Sequence, residues 1–147
     1  MKYQVHIEID LPLDRVVELF DNPANMKHWM PKLQSIEPIS GSPGQVGATS
    51  RMKFLNGKRE MEMTETITAK NLPHEFSGTY EFQGGRYSVK NMFEALDGGR
   101  TRYISDQDFQ LAGLMKFLGW VLPGLFKKES MKHMTLFKKF AESQGPN

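Results

Sequence analysis

The chain has 147 residues, with ten methionines, ten phenylalanines and no cysteine. This length suits one ordinary domain, and the lack of cysteine excludes disulfides, thiolate metal sites and cysteine nucleophiles. The formal net charge of +2 is too close to balance for a protein held on nucleic acid by phosphate contacts, so no nucleic-acid partner is expected. The first residues alternate in polarity instead of forming the apolar run of a signal peptide, which predicts a cytoplasmic location.

The first forty residues predict a strand, two short helices and a second strand. Residues 3–9 alternate between apolar and polar side chains, as a half-buried strand does. Pro12 begins a helical stretch that Asn22-Pro23 interrupts, and a second short helix covers residues 24–29. A short strand over residues 35–40 follows, before a glycine-rich loop.

The middle of the chain predicts a meander of hairpins. Asn56-Gly57 and Gly84-Gly85 are expected at the centres of two-residue turns, and residues 97–99 close a third hairpin. These turns bring opposite charges together across the strands, as a stable sheet favours. The expected pairs are Leu55–Lys58, Lys53–Glu60 and Arg51–Glu62 in the first hairpin; Phe82–Tyr87, Tyr80–Val89, Gly78–Asn91 and Phe76–Phe93 in the second; and Leu96–Arg100, Glu94–Arg102, Phe93–Tyr103, Lys90–Asp106 and Tyr87–Phe109 in the third.

These registers place the charged pairs on one face of the sheet and an apolar set on the other. Methionine and aromatic side chains of this kind suit an interior that holds a ligand. Glu65, Asn91, Ser105 and Gln107 are the polar residues mixed into that face. Its apolar residues are Met52, Phe54, Met61, Met63, Ile67, Phe76, Tyr80, Phe82, Tyr87, Val89, Phe93, Tyr103 and Phe109.

The tail from Leu111 to Ser143 predicts helix, interrupted at Pro123-Gly124. Its first part, residues 111–126, is apolar nearly all round, with Lys116 as the only charge, and is too short to span a bilayer. The second part is amphipathic.

Two interpretations of the apolar part stay open. In the first, it is a helix gripped and buried by the sheet, which needs a cover. In the second, it is a gate hinged at Pro123-Gly124, and Trp120, Lys127 and Lys128 contact an anionic membrane surface transiently. The two interpretations can hold together.

The element order predicts an α+β protein whose curved antiparallel sheet, of about seven strands, wraps around a long C-terminal helix, with two short helices after the first strand. This pattern resembles the helix-grip fold of the SRPBCC superfamily, which includes START-like lipid-binding domains and polyketide cyclase/dehydrase-like proteins. The residues that carry the resemblance are Ile7-Glu8-Ile9 with Pro12, Val16 and Phe20; Trp29-x-Pro31; Gly41, Gly44 and Gly47; Gly99-x-Thr101; and the helix ending from Phe137 to Glu142. The resemblance implies one START-like ligand-binding domain over residues 1–147, with a hydrophobic cavity between the sheet and the C-terminal helix.

Glu65 is the candidate for acid–base chemistry, because a carboxyl group on an apolar face acts as a general base or anchors a ligand. The alternative is a residue at the rim that pairs with an arginine. Tyrosine hydroxyls and amides of the face are expected to orient a polar ligand head, or else to be ordinary core residues. The predicted cavity residues are Met52, Phe54, Met63, Glu65, Phe76, Tyr80, Phe82, Tyr87, Asn91, Phe93, Tyr103, Gln107, Leu114, Phe117, Trp120 and Val121. The four histidines lie on separate elements, so no metal is expected. The loop from Gly41 to Gly47 is neither a P-loop nor a dinucleotide fingerprint, and no cofactor is expected.

Three functions remain open at this point. The leading hypothesis is binding or transport of a small hydrophobic ligand, such as a lipid, fatty acid, quinone or polyketide-like molecule, by a monomer or weak homodimer. The second is an enzyme that resembles the polyketide cyclases and dehydratases and uses Glu65 as its base. The third is a protein-interaction module, for which no large apolar patch outside the tail is expected.

Overall fold

A seven-stranded antiparallel sheet and a long C-terminal helix make up most of the computed structural model, which describes residues 1–146. The strands are β1 (Lys2–Ile9), β2 (Leu33–Ser40), β3 (Thr49–Asn56), β4 (Arg59–Asn71), β5 (Glu75–Phe82), β6 (Gly85–Leu96) and β7 (Arg100–Leu111). The helices are α1 (Leu13–Asp21), α2 (Gly113–Val121), α3 (Pro123–Gln144) and a 3₁₀ helix (Pro23–His28). The strand order is β1-β7-β6-β5-β4-β3-β2, so the predicted helix-grip fold is confirmed.

Helix α3 packs its apolar stripe onto the concave face of the sheet. Ser130, Met134, Phe137 and Ala141 are its buried residues, at the spacing of one helix face. Phe137 is 1% exposed and meets Trp29 edge-on, with ring centroids 4.8 Å apart. Phe137 also meets Tyr103 of β7 edge-on at 5.7 Å, and full burial of such a ring contributes about 1.5–3 kcal/mol.

The first hairpin is centred one residue later than predicted. Asn56 pairs with Arg59, which puts Gly57-Lys58 at the turn, and Gly57 has a φ of 67°. A two-residue turn at Asn56-Gly57 favours type I′, which needs a positive φ at Asn56, and no described residue other than glycine has one. The predicted pairs Leu55–Lys58, Lys53–Glu60 and Arg51–Glu62 are therefore wrong as strand partners, and the observed partners are Leu55–Glu60, Lys53–Glu62 and Arg51–Thr64.

The second hairpin is centred one residue earlier than predicted. Phe82 pairs with Gly85, so the turn lies at Gln83-Gly84. A Cβ at Gly85 would lie 2.3 Å from the Gln110 carbonyl oxygen. Glycine is therefore required here because β7 lies so close to the backbone, and not because the residue is part of the turn. The predicted pairs Phe82–Tyr87, Tyr80–Val89, Gly78–Asn91 and Phe76–Phe93 are wrong, and the observed partners are Tyr80–Tyr87, Gly78–Val89 and Phe76–Asn91.

The third hairpin has the predicted register. Leu96 pairs with Arg100, Glu94 with Arg102 and Lys90 with Asp106. Phe93–Tyr103 and Tyr87–Phe109 are also partners as predicted. The concave apolar face is thus assembled as expected even where individual partners differ.

The helical tail differs from the expected one in two respects. The break lies at Leu122, and Pro123 is the first residue of α3, where a missing N–H costs nothing. The interpretation that the sheet buries the whole apolar part is wrong, because most of α2 is exposed. Within residues 1–146, no helix is long and apolar enough to cross a bilayer.

Candidate functional site

Glu65 and Tyr80 form a hydrogen-bonded pair on the concave face. They are direct partners on β4 and β5, and Tyr80 Oη donates to Glu65 Oε2 at 2.8 Å. Burial raises the pKa of Glu65, and the hydrogen bond from Tyr80 opposes that rise in part. No cation of the described chain forms an ion pair with Glu65, so the alternative of a rim carboxylate held by an arginine is not found.

Stacked aromatic rings continue from this pair across the sheet. The Tyr80 and Tyr87 rings stack with centroids 4.8 Å apart, and those of Tyr87 and Phe109 at 4.6 Å. Burial raises the pKa of both tyrosines, so both hydroxyls are protonated donors at neutral pH. Tyr87 Oη donates to Met63 Sδ at 3.8 Å, and a thioether is a weak acceptor. An oxygen atom of a ligand would be a stronger partner for this hydroxyl.

The part of the concave face around these residues is half-buried, and we call it the Glu65 end. Phe54 and Met61 pair across β3 and β4 beside it, and Met61 is 43% exposed. A half-buried wall of methionine and aromatic side chains with one carboxyl group has the composition of a small-molecule site. The predicted cavity residues at the Glu65 end are Phe54, Met63, Glu65, Tyr80, Phe82 and Tyr87.

The opposite end of the face is filled by core packing. The Phe20 ring lies 4.9 Å from Phe93 and 5.7 Å from Tyr103, measured between centroids. Tyr103 Oη donates to Asn91 Oδ1 at 2.9 Å, so these two polar groups satisfy each other. The predicted cavity residues that pack here, or elsewhere in the buried core, are Met52, Phe76, Asn91, Phe93 and Tyr103.

Gln107 belongs to a polar cluster that joins β1 and β7 to α3. Tyr3 Oη lies 2.7 Å from Ser130 Oγ and 3.0 Å from Gln107 Oε1. Ser130 Oγ donates to the same Gln107 oxygen at 3.0 Å. These contacts give Gln107 a structural role. Sequence reasoning missed Tyr3 and Ser130, although Ser130 is the one polar residue on the buried stripe of α3.

The four predicted cavity residues of α2 lie at the surface. Leu114, Phe117, Trp120 and Val121 are all exposed. Helix α2 instead turns Met115 toward the β5–β6 turn, where a Cβ at Gly84 would lie 2.7 Å from Met115 Cγ. The sequence did not single out Met115, because an all-apolar helix gives no periodicity from which to choose a face.

Two grooves lie elsewhere on the surface, and neither includes Glu65 or Tyr80. One, of about 540 Å³, lies between the 3₁₀ helix and α3, where the His28 and Phe140 rings stack at 4.2 Å. The other, of about 600 Å³, follows mostly polar residues of β1 and β4–β7, and Gln107 is among its lining residues. Among residues 1–146, no three histidine, aspartate or glutamate side chains are grouped as a metal ion would need.

The fold and the amphipathic concave face define a helix-grip protein of the SRPBCC superfamily. The sequence model of one family, described as polyketide cyclase / dehydrase and lipid transport, matches residues 1–142. The chain therefore belongs to this family. No curated protein sequence matches it.

Several solved structures share the fold at low sequence identity. The crystal structure of Ara h 8.0201 is 17% identical, with a TM-score of 0.76 over 97% of this chain and 98% of that one. The Zhui aromatase/cyclase from Streptomyces sp. R1128 is 14% identical, with a TM-score of 0.76 over 100% and 99%. Norcoclaurine synthase from Thalictrum flavum, in complex with dopamine and hydroxybenzaldehyde, is 15% identical, with a TM-score of 0.74 over 100% and 89%. At these identities the likeness concerns the fold alone.

Proposed function

We propose that the protein binds or transports a small hydrophobic ligand at the Glu65 end of the concave face. The observation that carries the proposal is a half-buried carboxyl group that has one hydrogen bond and no ion pair within residues 1–146, set in a wall of methionine and aromatic side chains. The family description, which covers lipid transport as well as polyketide cyclases and dehydrases, supports the same class of ligand.

In this proposal the ligand is held by two kinds of contact. Burial of its apolar part contributes about 25 cal/mol per Å² removed from water. Its polar head meets the Glu65 carboxyl group and the Tyr87 hydroxyl, whose present partner is a weak acceptor. The proposal keeps the cytoplasmic location and the monomeric or weakly dimeric state expected from the sequence.

Native mass spectrometry of the purified protein, followed by solvent extraction, tests the proposal. We expect an apolar molecule bound near one-to-one. Glu65→Gln is expected to weaken its retention, whereas Glu60→Gln, on the outward face of the same strand, is not. A ligand-free mass together with no saturable binding of fatty acids, quinones or aromatic polyketides would refute the proposal.

A second candidate function is enzymatic, and the environment of Glu65 favours it. Burial raises the pKa of this carboxyl group toward the range in which a base works near neutral pH. Ionised Glu65 would take a proton from a carbon next to a carbonyl group, and the tyrosine hydroxyls would donate to the enolate oxygen that forms.

Turnover separates the two functions. If the protein is an enzyme of this kind, Glu65→Gln abolishes turnover of an aromatic polyketide substrate while leaving its binding measurable. If the protein is a carrier, the wild-type protein binds the same molecule without converting it. The interaction-module hypothesis would instead need a stoichiometric protein partner in a pull-down.

A further inference from the structure

Helix α2 and the start of α3 expose a continuous apolar surface. Trp120 is 80% exposed and Leu114 is 73% exposed. Isolated exposed hydrophobic residues are common on soluble domains, but seven within twelve consecutive positions are not. We call this set the α2 surface; it consists of Leu114, Phe117, Leu118, Trp120, Val121, Leu122 and Leu125.

The surface is not part of the contact that holds α2 on the protein. That contact uses Gly119, where an added Cβ would lie 2.7 Å from Leu111 Cδ1, and Met115, which meets the β5–β6 turn. The Ala112 N–H also donates to the Gly84 carbonyl oxygen at 2.9 Å. The helix is therefore attached along one narrow seam and presents its other side chains outward.

Every charge within the sequence of the α2 surface is positive, and the first carboxylate, Glu129, directly follows Lys128. Residues 112–128 contain Lys116, Lys127 and Lys128 and no aspartate or glutamate. All three lysines are exposed. Apolar side chains flanked by lysines are the pattern of a helix that lies in the interface of a bilayer with anionic lipids.

We propose that the α2 surface docks on an anionic lipid bilayer. The helix would lie along the interface with Trp120 and its apolar neighbours among the acyl chains and the lysines at the head groups. Such a helix lies on the membrane, since no helix in residues 1–146 is able to span it. A second copy of the chain fits this surface less well, because a two-fold contact would place the same lysine-flanked surface on both sides, and residues 112–128 contain no carboxylate to offset those charges.

The proposal does not depend on the proposed function, since docking requires no ligand in the concave face. The two are nevertheless compatible in space. Helix α2 begins beside the β5–β6 turn, and Phe82 of the Glu65 end is the residue before that turn. A ligand that leaves the bilayer would therefore meet the Glu65 end next to the docked helix.

Tryptophan fluorescence with vesicles tests the docking directly. The chain has two tryptophans: Trp29 is 6% exposed in the core, and Trp120 is 80% exposed. Vesicles of phosphatidylcholine with phosphatidylglycerol are expected to shift the emission to shorter wavelength and to sediment with the protein. The shift should be absent in Trp120→Ala, because Trp29 is already buried. Ligand-free protein serves for this test, so its result is independent of the ligand-binding experiment.

Two matched pairs of variants separate the apolar and the charged contributions. Leu114→Ser/Phe117→Ser should abolish sedimentation, whereas Ile39→Ser/Val46→Ser, exposed elsewhere, should not. Lysines near an anionic surface contribute about fivefold each to partitioning, so Lys127→Glu/Lys128→Glu should weaken binding at least about 25-fold. The control with the same charge change, Lys132→Glu/Lys139→Glu further along α3, should lose much less.

Three results would overturn the proposal. The first is no sedimentation of the wild-type protein with anionic vesicles. The second is equal binding to pure phosphatidylcholine, which would remove the role of charge. The third is self-association through α2, detected by analytical ultracentrifugation as a dimer that Leu114→Ser/Phe117→Ser dissociates, with no vesicle binding.

Discussion

Replacing Glu65 by glutamine should make the fold more stable at neutral pH. In the unfolded chain Glu65 has the ordinary glutamate pKa of 4.5, and burial raises its pKa in the folded protein. A carboxyl group of this kind binds its proton more tightly when folded, so its ionisation favours unfolding. The stability of the wild-type protein should therefore fall as the pH rises through 4.5, and the loss is complete above the raised folded pKa.

The size of the effect follows from the same linkage. Each unit of difference between the folded and unfolded pKa corresponds to about 1.4 kcal/mol. Glutamine carries no charge and keeps an acceptor for Tyr80 Oη, which now donates at 2.8 Å. Alanine would instead leave the buried Tyr80 hydroxyl unpaired, at a cost of about 1–3 kcal/mol. We expect Glu65→Gln to be more stable, and Glu65→Ala less stable, than the wild-type protein at neutral pH.

Urea unfolding followed by circular dichroism, from acid to mildly alkaline pH, measures the effect. The gain of Glu65→Gln over the wild type should be close to zero below pH 4.5 and should grow as the pH rises. Glu60→Gln removes the same charge from the exposed face of β4 and is the control. The reasoning would be refuted if the gain were independent of pH, or if Glu60→Gln showed the same pH dependence.

Two further predictions concern the fold. Phe137→Ala should lower the free energy of unfolding by about 3–5 kcal/mol, because the ring is 1% exposed and surrounded by aromatic side chains; a urea-unfolding loss below about 1 kcal/mol would contradict the core described here. Gly85→Ala should lower the melting temperature or prevent folding, because its Cβ would lie 2.3 Å from the Gln110 oxygen. Gly124→Ala is the control and should keep the wild-type melting temperature, because no heavy atom lies within 4 Å of the added Cβ. Equal melting temperatures for the two variants would contradict the close approach of β6 and β7 at Gly85.

The faces of the sheet could be predicted from the sequence better than its strand partners. In the first two hairpins each turn is centred one residue away from its predicted position. The turn lies at Gly57-Lys58 instead of Asn56-Gly57 in the first hairpin, and at Gln83-Gly84 instead of Gly84-Gly85 in the second. Such a shift moves each partner by two residues and leaves every side chain on its face, so apolar alternation does not detect it. In the third hairpin the three-residue turn at residues 97–99 set the predicted register, and it places Lys90 opposite Asp106 and Glu94 opposite Arg102 as observed.

The Glu65–Tyr80 pair depends on a register that the sequence did not supply. A bulge between Ile67 and Ala69 shifts the pairing of β4 with β5, and no turn dipeptide marks it. The exposure of α2 was equally hidden, because a buried helix and an interfacial helix share the same apolar composition. The contacts of Gly119 with Leu111 and of Met115 with the β5–β6 turn show which face of α2 is buried.

The position of β1 in the sheet has a consequence for synthesis of the chain. The hairpins can form as soon as they leave the ribosome, because their strands are close in sequence. Strand β1 pairs only after β7 has been synthesised, since the partner of Val5 is Ser105. Helix α3 comes later still, so the part of the concave face that it covers stays exposed until this 22-residue helix is made. A chain that ends before Pro123 therefore exposes that face to water and to other chains, and we expect such a chain to aggregate.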